Sequence, residues 1–267
     1  MGLIYEKRNN IAYLTFNRPE ARNAMDPETI LQLIDAWKDY AEDKEMRCAI
    51  LTGTGDKVFC SGADLGKLIP LFTGAKPAET DAEKACQSDP MIVNKAILRE
   101  YPLYKPVIAA INGHAIAGGM EALYATDIRI AAEGVKFGLQ EVKWAIFPAG
   151  GSSIRLPRQL PYARAMEILL TGELMEAEEA LRLGFINKIV PREKVMEEAE
   201  RYAGIICKNG PLAVEAIKKS VIENRGKPLS EGLQRELELA LPVFMSKDAQ
   251  EGPKAFKEKR EPKFEGK

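Results

Sequence analysis

Histidine is nearly absent from this chain: its 267 residues include one, His114. A histidine-based zinc site would lack a second ligand, and a Ser-His-Asp triad would have to use that single residue. Cysteines are few (Cys48, Cys60, Cys86 and Cys207) and none form a CxxC pair. Four such thiols suggest a reduced state and a cytosolic protein. No apolar run approaches the roughly 18 residues of a membrane span. The opening Met1-Gly2-Leu3-Ile4-Tyr5-Glu6 is too polar for a secretory signal, and Glu6 breaks the myristoylation pattern. Charge of one sign is also missing, with 38 Lys and Arg against 39 Asp and Glu and a net charge of −1. That argues against general nucleic-acid binding, which wants a net basic face, and leaves room for a local basic patch.

What is present fits a globular protein: 46% apolar and 29% charged residues. The length allows two domains or one large α/β domain. Such a chain buries roughly 70–75% of its unfolded surface and needs no disulfide or metal for stability. Ile11–Phe16 reads as a strand, broken by Asn17-Arg18-Pro19. Asp26-Pro27 reads as an N-cap and first helical residue, followed by Ile30, Ile34, Trp37 and Ala41 on one helical face. Cys48–Thr52, Val107–Ile111 and Asp127–Ile130 read as strands, with a helix from Gly118 to Ala125. This alternation argues for an α/β core, and taken alone suggests a doubly wound sheet.

Composition changes twice. Residues 66–101 look irregular, with Pro70, Gly74, Pro77 and Pro90 and a polar stretch from Glu79 to Asp89. Such a segment reads as a functional lid, a mobile loop or a surface insertion. After Val190-Pro191 the pattern becomes helical, over Glu193–Cys207, Pro211–Asn224 and Leu229–Met245. Asp248-Ala-Gln-Glu251 reads as the capping pattern of a last short helix. The expected division is a core over 1–190 and a helical region over 191–267.

Two glycine-rich turns follow strands: Phe59-Cys-Ser-Gly-Ala-Asp-Leu65 and Asn112-Gly-His-Ala-Ile-Ala-Gly-Gly-Met-Glu121. Neither matches the GxGxxG or GxxxxGK[ST] phosphate motifs. They are either two tight strand–helix turns or two backbone donors converging on one oxygen. Glu121 and Glu141 sit among apolar residues. Each is a half-exposed residue or helix-start charge, or the two form an acid/base pair tuned by burial. His114 beside a tight turn reads as a satisfied structural residue, and Lys254–Lys263 as a solvated tail or a cationic patch for phosphates.

Taken in order, several stretches resemble the enoyl-CoA hydratase/isomerase (crotonase) family: Asn17-Arg-Pro-Glu-Ala-Arg-Asn-Ala, Phe59-Cys-Ser-Gly-Ala-Asp-Leu, Lys105-Pro-Val-Ile-Ala-Ala-Ile-Asn-Gly, Ala117-Gly-Gly-Met-Glu, Asp127-Ile-Arg-Ile-Ala, Phe137-Gly, Pro148-Ala-Gly-Gly and Ala180-Leu-Arg-Leu-Gly-Phe-Ile-Asn-Lys-Ile-Val-Pro. The ending Phe256-Lys-Glu-Lys-Arg-Glu-Pro-Lys-Phe resembles the family's C-terminus. The resemblance implies an α/β fold of ββα units wound into a spiral, with a helical C-terminal trimerisation region, assembled as a homotrimer or homohexamer. It implies an acyl-CoA thioester substrate, with coenzyme A as part of the substrate and no separate cofactor or metal. The thioester oxygen would be held by the backbone N–H groups of Ala63 and Gly118. Asp64, Leu65, Gly66, Arg22, Phe256 and Lys259 would contact coenzyme A or substrate. With both glutamate positions filled, the resemblance points to a 2-enoyl-CoA hydratase: Glu121 deprotonates the attacking water and Glu141 protonates Cα. The alternatives are another reaction of the family, such as double-bond isomerisation or a specialised dehydration of a cyclic or branched acyl-CoA, and a non-catalytic RNA-binding member. Several residues depart from the family pattern. Ala117 replaces the first glycine of a Gly-Gly-Gly run, Gln140 a common proline and Ala145 a frequent glycine, and Ser152-Ser153 follows the Pro-Ala-Gly-Gly. The segment 66–104, which lines the acyl pocket in the family, is longer than in short-chain hydratases, so a short straight acyl group is not implied.

Overall fold

A computed structural model describes residues 1–89, 91–100 and 102–267; Pro90 and Tyr101, both within the stretch 66–101 that reads as irregular, lie outside the described residues. The strands are β1 (Leu3–Arg8), β2 (Ile11–Phe16), β3 (Cys48–Gly53), β4 (Val58–Cys60), β5 (Val107–Ile111), β6 (His114–Ile116), β7 (Ile128–Ala132), β8 (Lys136–Gly138), β9 (Met175–Glu176) and β10 (Lys188–Val190). They build one sheet in the order β1-β2-β3-β5-β7-β10 and another in the order β4-β6-β8-β9. The pairs β3/β4, β5/β6 and β7/β8 each send one strand to either sheet, so the chain winds as a spiral of ββα turns. Neighbours are parallel except β1 with β2 and β8 with β9. This corrects the single doubly wound sheet that the alternation suggests. The strands of the second sheet, β4, β6, β8 and β9, are two or three residues each, too short to carry a periodic signal.

The helices are α1 (Pro27–Glu42), α2 (Ile69–Phe72), α3 (Asp81–Ser88), α4 (Ile92–Ala96), α5 (Gly118–Leu123), α6 (Ser152–Arg155), α7 (Tyr162–Thr171), α8 (Ala177–Arg182), α9 (Val195–Lys208), α10 (Pro211–Glu223), α11 (Leu229–Phe244) and α12 (Lys247–Glu258). Asp26 caps α1 as the sequence predicts, its carboxylate accepting from the Thr29 N–H at 3.0 Å. The buried stripe of α1 runs through Ile30, Leu33, Ala36, Trp37 and Tyr40, with Ile34 and Ala41 at its edge. The Trp37 indole donates to the Ala96 carbonyl, and the Tyr40 hydroxyl to that of Pro106. The parallel strand β5 is buried along its whole length, as expected for a strand covered on both faces.

Two expectations are corrected. The described residues of the stretch 66–101 are largely helical: α3 packs on both α2 and α4, α3 and α4 also pack on α1, and Leu68, Leu71, Cys86 and Ile97 join the core. The polar stretch is a helix with a complete capping box, Thr80 accepting from the Glu83 N–H while Glu83 accepts from the Thr80 N–H. The last helix is capped by Ser246 rather than Asp248. Asp248 is buried and accepts instead from the Glu265 and Gly266 N–H groups, and so holds the final residues against α12. The C-terminal helices divide in role. Helix α9 packs across β3, β5 and β7, whereas α10 and α11 pack mainly on each other.

One polar side chain ties the start of the core together. Asn23 is buried, takes a left-handed backbone (φ 55°), accepts from the Arg18 N–H and donates to the carbonyls of Thr54 and Val58. Asn23→Ala leaves these buried groups unpartnered and should cost about 2–3 kcal/mol, read from urea or thermal unfolding at a fixed protein concentration. A loss below about 0.5 kcal/mol would contradict this account.

Candidate active site

The two glycine-rich turns meet. The first leaves β4 and the second leaves β6, parallel neighbours in the smaller sheet, so both chain ends emerge on the same side. Met25 clamps the first turn, donating its N–H to the Gly62 carbonyl at 2.7 Å and accepting from the Asp64 N–H at 2.9 Å. Gly62 takes φ 89°, where L side chains are disfavoured, and a Cβ there would lie 2.7 Å from the Gly118 nitrogen. A Cβ on Gly118 would lie 3.2 Å from the Gly62 Cα and 3.6 Å from the Ala63 nitrogen. The turns therefore touch because neither residue has a side chain. Among the described residues, the N–H groups of Ala63 and Gly118 donate to no other atom of the chain. The Gly118 N–H belongs to the first turn of α5, where helices leave donors free. Just before it, Ala117 holds φ 53° and ψ −127°. That is a glycine-like conformation that costs an alanine on the order of 1–3 kcal/mol.

Both donors border a cleft of about 960 Å³. Glu121 and Glu141 line it, as do Asp64, Leu65, Gly66 and Arg22. Of the residues expected at the site, Phe256 and Lys259 do not border it. Phe256 is exposed on α12, Lys259 is exposed at its C-cap, and the nearby Arg260 is paired with Glu251 and Glu258. The apolar walls include Leu68, Phe72, Met91, Ile97, Trp144 and Phe147, several of them supplied by the segment that looks irregular in sequence. Arg18 reaches both Asp26 and Asp64 and braces the first turn against α1.

The two glutamates have different surroundings. Glu121, one turn into α5, is 5% exposed. Burial raises its pKa, opposed by a hydrogen bond from the Ser152 hydroxyl at 2.7 Å and by the N–H groups of Gly150 and Ser152. Glu141 opens the short helical turn Glu141–Trp144, ended by Ala145 in left-handed geometry. One of its carboxylate oxygens is buried with no partner. Burial, with the Glu121 charge adding to it, pushes its pKa up to about 7. Glu121 thus has a side-chain donor, whereas Glu141 has only its own backbone N–H among the described residues, a difference of the kind that divides a carboxyl pair into a base and an acid. His114 also borders the cleft; its Nδ1 accepts from the Lys136 N–H at 3.0 Å and so bridges β6 to β8. Ser152, Met25 and Arg18 are the functional neighbours that sequence reasoning did not single out for roles. The one signal available was Ser152-Ser153 standing after the Gly150-Gly151 pair.

The ββα spiral thus brings two unpaired N–H groups, a buried carboxylate and a half-buried one to a single cleft, and sequence comparison shows the class of enzyme to which this fold belongs. The family model described as enoyl-CoA hydratase/isomerase matches residues 6–267, and the chain belongs to that family. It is 42% identical to an enoyl-CoA hydratase of Mycobacterium tuberculosis, EchA19, over 98% of this chain and 96% of that one. It is 40% identical to the (E)-benzylidenesuccinyl-CoA hydratase of Thauera aromatica over the full length of both chains. It is 36% identical to the carnitinyl-CoA dehydratase of Citrobacter koseri over 99% and 98%. Among solved structures, an enoyl-CoA hydratase from Bacillus anthracis superposes with a TM-score of 0.90 at 33% identity, covering all of both chains.

If the touching turns form the donor pair, Gly62→Ala should disable it by pressing a methyl against the Gly118 nitrogen. We expect kcat for thioester turnover to fall by about 10²–10³-fold, the effect of losing one such donor. A folded Gly62→Ala enzyme with unchanged kcat would remove the turns from the mechanism.

Proposed function

We propose that the protein adds water across the 2,3 double bond of a 2-enoyl-CoA thioester to give the 3-hydroxyacyl-CoA, and catalyses the reverse dehydration. The observation that carries this reading is the unequal glutamate pair beside two free backbone N–H groups. The thioester oxygen accepts from Ala63 and Gly118, which draws electron density from Cβ and stabilises the enolate. Water attacks Cβ as Glu121 takes its proton, and Glu141 delivers a proton to Cα. Water adds as H and OH, both carboxyls are restored by proton exchange, and no redox step occurs. The hydratase and dehydratase relatives support a chemistry that runs in both directions.

Coenzyme A belongs to the substrate and no further cofactor is required. Asp64, Leu65, Gly66 and Arg22 are the proposed contacts for it in the cleft. Phe256 and Lys259 contribute only if assembly carries α12 to a cleft. The exposed Leu229, Leu233, Leu237 and Leu241 along α11 support such assembly, as a trimer or hexamer through the region after residue 190. Light scattering at micromolar concentration should report three or six chains; a monomer would contradict it. The apolar wall from residues 68–97 suits an uncharged acyl group larger than a short straight chain. The four free thiols fit the cytoplasm, and no helix among the described residues is long and apolar enough to cross a membrane.

A panel of enoyl-CoA thioesters, followed by loss of the conjugated-thioester absorbance, tests the reaction directly. Glu121→Gln and Glu141→Gln should each lose about 10²–10⁴-fold in rate, and the double variant little more than the worse single one, because the two act on one water and one substrate. An isomerase would depend on one glutamate and tolerate loss of the other. The pH dependence has a defined sign. Glu141 must carry its proton to act as an acid, so kcat/KM should fall as pH rises through about 7. That limb should vanish from the residual activity of Glu141→Gln. Its persistence there would assign the ionisation to another group.

A further inference from the structure

We propose that Ser152 is a positioning residue that keeps Glu121 ionised, so that the two glutamates meet substrate as one base and one acid. This rests on the hydratase reading and assigns a device within that site.

Ser152 opens α6 and is fully buried. Its hydroxyl donates to Oε1 of Glu121 at 2.7 Å and accepts from the Tyr124 hydroxyl at 3.3 Å. Tyr124, itself buried, caps the helix that carries Glu121. With the Tyr124 hydrogen aimed at the Ser152 oxygen, the serine's own hydrogen is committed to the carboxylate. The chain of hydroxyls therefore has a direction, and it ends on Glu121. Gly150 must lack a side chain here, because a Cβ on it would lie 2.3 Å from Oε2 of Glu121. The N–H groups of Gly150 and Ser152 can only donate, so they too favour the charged form.

The other charges around Glu121 do not account for the asymmetry. Glu141, from the turn after β8, opposes its ionisation by like-charge repulsion, and the coupling raises the Glu141 proton affinity in return. Arg99, beyond α4, and Arg155, on α6, lie near enough to favour the charge, and Arg99 is the weakest of the causes that act on Glu121. Arg155 spends its guanidinium on the carbonyls of Leu98 and Arg99. Among the described residues, Ser152 supplies the one side-chain hydrogen bond to Glu121, and Glu141 has no equivalent.

The test is the titration of Glu121 in the unliganded, assembled enzyme by difference infrared spectroscopy, its band identified by loss in Glu121→Gln. In Ser152→Ala the neutral carboxyl should persist to a pH about one unit higher, since a charge-assisted donor is gone. The acidic limb of kcat/KM should move the same way, with kcat down by about tenfold or more and KM for the thioester nearly constant. Ser152→Thr, which keeps the hydroxyl, should restore the wild-type titration. Tyr124→Phe should give a smaller shift of the same sign, and it tests the arrangement independently of how the Ser152 cavity tolerates change. An unmoved Glu121 titration in Ser152→Ala, or a rate loss equal at every pH, would overturn the proposal. The infrared measurement needs no turnover, so it stands apart from whether the wild-type enzyme hydrates any enoyl-CoA tested.

Discussion

The contact between Gly62 and Gly118 is the constraint on which the site depends. Two loops from neighbouring strands of the smaller sheet approach until only hydrogen fits between their α carbons and nitrogens. The spiral makes that approach possible, because parallel β4 and β6 end at the same level and release their chains on the same side. Met25 holds one loop by two backbone hydrogen bonds, and α5 presents the other loop's free N–H. The backbone strain at Ala117 lies one residue from the donor it orients. Regular structure on either side over-determines that residue, as a strained position requires.

The same burial that sharpens the donors governs the carboxyls. Removing water makes every charge more expensive, and each glutamate answers according to its neighbours. Around Glu121 the hydroxyl of Ser152 and nearby backbone N–H groups oppose the rise in pKa that burial causes. Glu141 has only its own backbone N–H among the described residues, and burial with the Glu121 charge pushes its pKa up to about 7. In the proposed reaction two residues of one type thus take opposite roles without any difference in their own chemistry.

Much of this was legible in the residues and some was not. The long elements announced themselves: Asp26-Pro27 before an amphipathic run, the unbroken apolar Val107–Ile111, and the periodic helices after Pro191. The order of motifs, more than any periodicity, pointed to the spiral. The three-residue strands escaped because alternation needs more positions to declare itself. Leu3–Arg8 escaped although Asn9-Asn10, both left-handed, form the tight turn that pairs it with β2. Helix α3 was hidden inside a polar stretch even though Thr80 and Glu83 spell a capping box, because its buried face amounts to Glu83 and Cys86. At the site, Glu121 and Glu141 were visible as carboxylates in apolar company. Ser152 was visible only as an unexplained serine, since a hydrogen bond across 31 residues leaves no trace in spacing. Phe256 and Lys259 read as binding residues by likeness alone, and the isolated chain keeps them away from the cleft.

In the proposed mechanism the electron sink is made from main chain, while the proton chemistry is made from side chains, and the two can change separately. A substitution at Glu121 or Glu141 alters where protons go and leaves the Ala63 and Gly118 donors standing. A thioester would still be gripped and polarised, with its α and β carbons waiting for whatever groups the cleft then offered. The hold on the carbonyl in that mechanism would then reside in the part of the protein that the genetic code specifies least directly.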